Sequence, residues 1–270
     1  MRLHIRHETT HRYEPARGTL AQLVRLTPSD GPAQRVIAWR VAAELAREPL
    51  EFSDGYGNVC HLFALRDVRP EMRIVAEGEV ETFAAREASG IELVPPGYFL
   101  RATPLTAPTP AISALAHEAR ASAGGDDSAE LLALAELVCE RIMHHPAQTD
   151  VTTRAGDALA GGAGVCQDRA HVFVTAARAL GRPARYVSGY CDGAAAGEDG
   201  AMHAWAEVWR EKEGWLALDP SLGDVAAQRH VRICVGLDYA EAAPIRGVRS
   251  GGAREQLDVR VRIQAGQVQQ

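Results

Sequence analysis

Apolar and polar residues alternate along roughly the first 80 residues of the chain, which is the pattern of half-buried β-strands. The predicted strands lie at 3–6, 20–26, 34–41, 59–65 and 72–83. Turns rich in proline, glycine, aspartate and asparagine separate them at 28–32 and 54–58. Short strands joined by such turns predict an antiparallel β-sandwich-like domain over residues 1–84.

The next stretch, 85–110, is rich in proline, which predicts a connecting arm. Its five prolines are Pro95, Pro96, Pro104, Pro108 and Pro110. Apolar residues at helical spacing then follow at 111–123 and 128–143. We expect Asp127 or Ser128 to be the N-cap of the second of these helices.

A third helix is predicted at 167–180, after the glycine-rich segment 161–164, and it should end at Gly181. Strand patterns follow at 184–190, 203–209, 215–218, 231–235 and 257–263. The glycine-rich segment 193–200 is predicted to be a hairpin tip. A helix that leads into several strands predicts an α+β core, which we assign to residues 111–270.

The composition is that of a globular protein, because 46% of the 270 residues are hydrophobic and 24% are charged. The net charge of -6 gives no reason to expect nucleic acid or an anionic membrane as a partner. No run approaches the ~18 apolar residues that cross a bilayer. Charged and imidazole side chains also interrupt the segment 1–7, so we expect a cytoplasmic protein without a secretory signal.

Five cysteines, widely spread and without a CxxC pair, argue against a disulfide framework and a structural zinc site. Most should pack in the core, as the apolar surroundings of Cys60, Cys139 and Cys234 indicate, and Cys191 is at a strand end. Cys166 differs, because it follows a glycine loop and opens a helix. The helix dipole favours its thiolate, and its backbone amide is a candidate oxyanion donor.

A histidine and an aspartate can join this cysteine. His203 opens an alternating strand, and Asp219 ends the next one, just before Pro220. If the two strands form a hairpin across 210–214, the imidazole and the carboxylate become neighbours. Cys166, His203 and Asp219 would then act as nucleophile, base and orienting carboxylate. Taken singly, each residue has a purely structural alternative in packing or in a turn.

Three motifs carry a family resemblance, in the order GVCQD at 164–168, HAWAEV at 203–208 and LDP at 218–220. Together they resemble the core of the bacterial transglutaminase-like cysteine proteases. The likeness extends to His230 and to DYAEAAPIRGV at 238–248. The N-terminal half resembles the β-rich region that accompanies such cores, through LTP at 26–28, Trp39 and DGYGN at 54–58. Arg169 departs from the family pattern, where an aromatic residue is frequent.

The resemblance implies a papain-like core in which a helix bearing the cysteine packs on an antiparallel sheet. It also implies Cys166 as nucleophile, His203 as base and acid, and Asp219 as its orienting partner. Gly164, Gln167 and Trp205 are candidates for the substrate groove, although a tryptophan there is more often packing. The side-chain amide of Gln148 is a further oxyanion candidate.

The expected function is that of a cysteine peptidase or amidase that acts on a peptide or protein amide without a cofactor or metal. An amine acceptor in place of water would make the protein a transglutaminase. A second hypothesis is a non-catalytic peptide-binding module of the same fold. A third is a zinc enzyme that uses Cys166, His171 and His203, although His171 is expected to anchor a neighbour within the helix. The sequence gives no prediction of the oligomeric state.

Overall fold

The computed structural model of the chain has the mixed α+β architecture that the sequence predicts. It describes residues 1–14, 18–44, 48–66, 68–84, 93–193, 201–251 and 254–266. The strands are β1 (Arg2–Glu14), β2 (Leu20–Thr27), β3 (Gln34–Ala43), β4 (Leu50–Ser53), β5 (Val59–Leu65), β6 (Glu71–Thr82), β7 (Met143–His144), β8 (Ala163–Gly164), β9 (Ala184–Cys191), β10 (Ala201–Arg210), β11 (Gly214–Asp219), β12 (Asp224–Val225), β13 (His230–Gly236), β14 (Ile245–Arg249) and β15 (Arg254–Gly266). The α-helices are α1 (Pro110–Ser122), α2 (Asp127–Arg141), α3 (Ala155–Gly161) and α4 (Cys166–Ala179).

Two antiparallel sheets form the N-terminal part, with the strand orders β15-β1-β6-β3 and β14-β2-β5-β4. Alternation along β1 places Leu3 and Ile5 on its buried face. They share one apolar core with Val24 of β2 and Ile74 of β6. Two sheets that enclose a common core make the predicted sandwich-like domain.

The last two strands of the chain complete these N-terminal sheets. β14 pairs with β2, and β15 pairs with β1 from Arg2 opposite Gly266 to Glu14 opposite Arg254. The division into residues 1–84, 85–110 and 111–270 stays a prediction, and the structure adds that β14 and β15 lie in the sheets of the first segment. This return is not predictable from the sequence pattern, because pairing between distant strands leaves no local signal.

A five-stranded sheet of order β12-β11-β10-β9-β13 forms the centre of the second part. α4 packs on one of its faces, where Val172 and Ala176 share an apolar core with Ala206 and Val208 of β10. Successive strand residues point to opposite faces. Trp205 and Glu207 therefore lie on the face away from α4, where both line a cavity against the N-terminal domain.

Element ends follow local chemistry. α4 ends at Ala179 with Leu180 as its C-cap, and Gly181, the predicted helix stop, follows with a positive φ of 78°. α2 begins one residue earlier than expected, because the side chain of Asp126 accepts from the Ala129 amide (2.8 Å), and Asp127 already belongs to the helix.

The arm contains a 3₁₀ helix at Pro96–Leu100. Residues 85–92 of the arm and 194–200 of the predicted hairpin tip lie outside the described residues. In the parts that the structure covers, no helix combines the length and the apolar content of a membrane span.

Two side-chain amides from the N-terminal domain cover the outer edge of β13. Gln34 donates to the Arg232 carbonyl and accepts from the Arg232 amide, both at 2.8 Å. Asn58 makes the same pair of bonds to Val235, also at 2.8 Å. A bulge between Arg232 and Cys234 places these two backbone units on the outer edge. The edge of the central sheet is thereby satisfied without a further strand.

Candidate active site

Cys166 is the first residue of α4, one residue beyond the end of β8, and it is partly exposed. Asp168 fixes this helix start, because its Oδ2 accepts from the Val165 amide (2.8 Å) and from the Thr149 hydroxyl (2.7 Å). Gly164 fits here because an added Cβ would lie 2.6 Å from the same oxygen. The cysteine therefore lies at the helix end where unpaired amides and the positive end of the dipole favour an anion.

His203 and Asp219 meet across the hairpin of β10 and β11. The hairpin pairs Arg210 with Gly214, which confirms the predicted connection. Nε2 of His203 lies 2.8 Å from Oδ2 of Asp219, and both side chains are buried. Because Nε2 faces the carboxylate, Nδ1 is the ring nitrogen left for Cys166.

Electrostatic interactions join Cys166 to this pair. Burial lowers the pKa of His203, but hydrogen bonds and charge interactions with Asp219 and Cys166 outweigh it and raise the pKa to about 10. Burial raises the pKa of Asp219, yet hydrogen bonds from His203 and His230 hold that pKa well below its usual value. Near neutral pH the site thus contains an imidazolium between a carboxylate and a sulfur. The structure brings the three predicted residues together.

A second histidine, which the sequence analysis did not assign to the site, shares the same carboxylate. Nε2 of His230 lies 2.9 Å from Oδ2 of Asp219, and the Ser221 amide donates to Oδ1 (2.8 Å). Both carboxylate oxygens therefore have donors. The resemblance at His230 was the only signal in the sequence, because a separation of 11 residues from Asp219 does not indicate contact. The contact arises from the pairing of β13 with β9.

Arg169 ties the helix of the cysteine to the segment after Asp219. Its Nε and Nη2 donate to the Ile142 carbonyl (2.9 and 2.6 Å), and its Nη1 donates to the Ser221 carbonyl (3.1 Å). The guanidinium is buried. It therefore satisfies two backbone carbonyls, one next to α2 and one beside the carboxylate, where the family often has an aromatic ring.

The remaining candidates lie at different distances from the chemistry. Gly164 and Gln167 flank Cys166 along the chain, and Gln167 is partly exposed. Trp205 is only 2% exposed and stacks on His203 with ring centroids 6.2 Å apart, so it packs behind the imidazole. Gln148 is exposed in the segment before α3. The groove and oxyanion roles of these residues stay predictions.

His171 is a structural residue of α4. Its ring is fully buried, and its Nε2 accepts from the Tyr239 amide (3.1 Å). Burial lowers its pKa to about 4, so the ring is neutral at ordinary pH. This anchoring role is the one expected from the sequence. Because Nε2 accepts from the Tyr239 amide, that nitrogen is not available as the zinc ligand that the third hypothesis requires.

Cys191, His203 and His230 form a cluster of metal-ligating atoms that lie within 4.8 Å of one another. The Asp219 carboxylate bonds both imidazoles, at 2.8 and 2.9 Å. Hydrogen bonds therefore account for how the two imidazoles are arranged.

A cavity of about 390 Å³ lies on the sheet face away from α4, between the central sheet and the N-terminal domain. Its walls include Gln34, Asn58, Trp205, Trp215 and His230. The side of His230 that does not face Asp219 thus borders the domain interface.

Two families match successive parts of the chain. Residues 3–81 match the bacterial transglutaminase-like N-terminal region, and residues 113–220 match the transglutaminase-like superfamily. An uncharacterized protein of Mycobacterium leprae (strain TN) is 30% identical over 277 residues, which cover 97% of this chain and 98% of that protein. The chain belongs to the transglutaminase-like superfamily. This transglutaminase-like protein is also 29% identical, over 92% of its length, to an uncharacterized protein of Mycobacterium tuberculosis (strain H37Rv), 87% of which is covered.

The fold of this transglutaminase-like chain has a close counterpart among solved structures. A Cytophaga hutchinsonii protein with a provisional assignment as a cysteine protease matches it with a TM-score of 0.78. The match covers 100% of this chain and 92% of that protein, at 20% identity. The two proteins therefore share the arrangement of both parts, the N-terminal sheets and the transglutaminase-like core.

Proposed function

We propose that the protein is a cysteine hydrolase that cleaves an amide bond of a peptide or protein. The observation that carries this proposal is the buried hydrogen bond of 2.8 Å between His203 and Asp219, made by a histidine that also interacts with Cys166. A thiolate at a helix start beside an imidazolium is an activated nucleophile. The membership of the superfamily supports the same assignment.

Acylation is the first step. The Cys166 thiolate attacks the amide carbonyl carbon, and the carbonyl oxygen becomes an oxyanion close to the backbone amide of Cys166. The C–N bond then breaks, and the amine leaves with the proton from Nδ1 of His203. A thioester remains on the sulfur, and the imidazole is neutral.

Water resolves the thioester in the second step. Nδ1 of His203 takes a proton from the water as the oxygen attacks the thioester carbonyl. The C–S bond breaks, the carboxylic acid leaves, and the thiolate and imidazolium are restored. Asp219 stays ionised throughout, because its role is to hold Nε2–H and to support the positive ring.

A screen of peptide amides and glutamine carboxamides tests this proposal. The reactions are run in ¹⁸O-labelled water, with and without a primary amine, and the products are analysed by mass spectrometry. Hydrolysis incorporates one ¹⁸O atom into the released carboxylic acid, whereas transamidation gives the amide of the added amine. We expect the ¹⁸O-labelled carboxylic acid as the main product. Capture without turnover would instead indicate the non-catalytic peptide-binding module.

Cysteine variants identify the nucleophile in the same screen. Cys166→Ala should abolish turnover and labelling by a thiol-directed probe. Cys139→Ser, at the other partly exposed cysteine, is the matched control and should retain both. Equal turnover by Cys166→Ala and the parent would overturn the proposal. The cytoplasmic location, the amide substrate class and the absence of nucleic acid and membrane partners are predictions of the sequence that accompany it.

A further inference from the structure

His230 lies at the point where the central sheet meets the N-terminal domain. It opens β13, and its side chain is 4% exposed. Its Nδ1 lies 3.1 Å from the Ala227 amide nitrogen and 3.2 Å from the Ala227 carbonyl oxygen, and its Nε2 lies 2.9 Å from Oδ2 of Asp219. The ring is therefore fixed on both nitrogens, one by backbone and one by the carboxylate.

The N-terminal sheets hold the chain on both sides of this histidine. The Thr82 hydroxyl donates to the Gln228 carbonyl (2.5 Å), two residues before His230. Gln34 bonds the amide and the carbonyl of Arg232, two residues after it, at 2.8 Å. The start of β13 thus takes its position from residues that belong to another domain.

We propose that His230 is a positioning residue for the Asp219 carboxylate and that the N-terminal domain acts on catalysis through it. The inference rests on the proposed function and names a role for the N-terminal domain in that reaction. His203 and His230 bond the same Oδ2, and Ser221 bonds Oδ1. Removal of one of these three donors leaves the carboxylate freer to turn away from His203, and the geometry of a catalytic group depends on such outer partners.

Several titratable or charged groups surround His230. Those that share its cluster are Cys191 of β9, His203 of β10 and Asp219 of β11. On the cavity side, the charged residues of the lining are Asp30, Arg185, Glu207 and Arg232. Glu207 pairs with Arg185 and lies 3.7 Å from Arg232, so an anion and two cations neutralise one another there in part.

The test is the pH dependence of Cys166 alkylation by iodoacetate, followed on the peptide that contains this cysteine. An anionic reagent reacts fastest while the neighbouring imidazolium is charged, so the alkaline limb of the profile reports the pKa of His203. The variants are His230→Phe, which retains a ring without a donor, and His230→Gln, which can place an N–H near the position of Nε2. Thermal unfolding of both variants controls for folding.

We expect His230→Phe to move the alkaline limb down by about 1 pH unit, because a loosely held carboxylate supports the imidazolium less. Turnover of an amide substrate should fall about tenfold, with KM little changed. His230→Gln should restore both. An alkaline limb that stays in place overturns the inference. An alkaline limb that moves to higher pH also overturns the inference. His230 would then compete with His203 for the negative charge of Asp219 instead of positioning the carboxylate.

The parent protein separates this inference from the proposed function. If Cys166 of the parent shows no thiolate-type reactivity at neutral pH, the proposed function fails, and the inference fails with it. If the parent reacts as expected and His230→Phe has the same profile, only the inference fails. His230→Gln keeps the test decisive when His230→Phe does not fold, because a profile unlike the parent's in a folded Gln variant also overturns it.

Discussion

The carboxamide of Asn58 holds both backbone groups of Val235, although the two residues are 177 positions apart. Each of the two hydrogen bonds is 2.8 Å long, and both residues are buried. A side chain of the N-terminal domain thus does what a neighbouring strand would do for the edge of the central sheet. A buried edge without such a partner would leave an N–H and a C=O unsatisfied.

Asn58→Leu should lower the free energy of unfolding by about 3 kcal/mol, because two buried backbone groups lose their partners. Chemical denaturation measures this change. Gln148→Leu replaces an exposed amide by the same side chain and should change stability by less than about 0.5 kcal/mol. Equal effects of the two substitutions would show that the Asn58 bonds contribute nothing specific.

Gly189→Ala should cost more than about 3 kcal/mol of stability, because the strand has no room for a Cβ. An added Cβ would lie 2.3 Å from Cη2 of Trp205 and 2.3 Å from the Val231 carbonyl oxygen. Thermal unfolding measures the loss. Gly97→Ala is the control, since no atom lies within 4 Å of its added Cβ, and its stability should stay near the parent value. A small loss for Gly189→Ala would contradict the tight packing of Trp205.

Asp219→Asn should lower kcat on an amide substrate by roughly a thousandfold. The amide keeps the shape but cannot support a positive ring, so the pKa of His203 should fall from about 10. Steady-state kinetics measures kcat, and the alkylation profile of Cys166 measures the change in pKa. Asp224→Asn, at an exposed aspartate of β12, should leave kcat within about twofold. A parent-like kcat in Asp219→Asn would remove the carboxylate from the mechanism.

Stability should rise with pH between about 4 and 6.5, since His171 and His7 both have a pKa lowered to about 4 by burial. In this window the unfolded chain binds more protons than the folded one. The stability is therefore lost as the pH falls through it. His171→Gln keeps an acceptor for Tyr239 and removes one titration, so about 3 kcal/mol of the loss should disappear. Urea unfolding at several pH values gives the slope, and an unchanged slope would contradict the burial of His171.

The central chemistry was predictable because its signals are local. A glycine loop before a helix locates Cys166, and two adjacent strands joined by a short turn bring His203 to Asp219. The helix end at Gly181 follows from its left-handed backbone in the same way. The role of these residues in catalysis stays a proposal, but their proximity could be derived from the spacing of residue types.

The contacts that were missed all depend on which strands pair or pack together in the tertiary structure. His230 reaches Asp219 only because β13 pairs with β9 rather than with its sequence neighbours, and no periodic pattern specifies that choice. In the sequence, Gln34 is an ordinary residue at the start of a strand and Asn58 an ordinary turn residue. Only the folded structure brings the edge of β13 against them. Such partners are set by tertiary packing, which a single sequence does not encode in any short segment.

The pairing of β1 with β15 also sets an order for folding during synthesis. His11 and Glu255 are joined at 2.6 Å across 244 positions of the chain. After β1 leaves the ribosome, its neighbour β6 is made within about the next 70 residues. The edge of β1 that pairs with β15 stays open until nearly all of the core has been synthesised. Closing so long a loop is slow, and an open strand edge invites pairing with other chains. The domain that is translated first is therefore completed last.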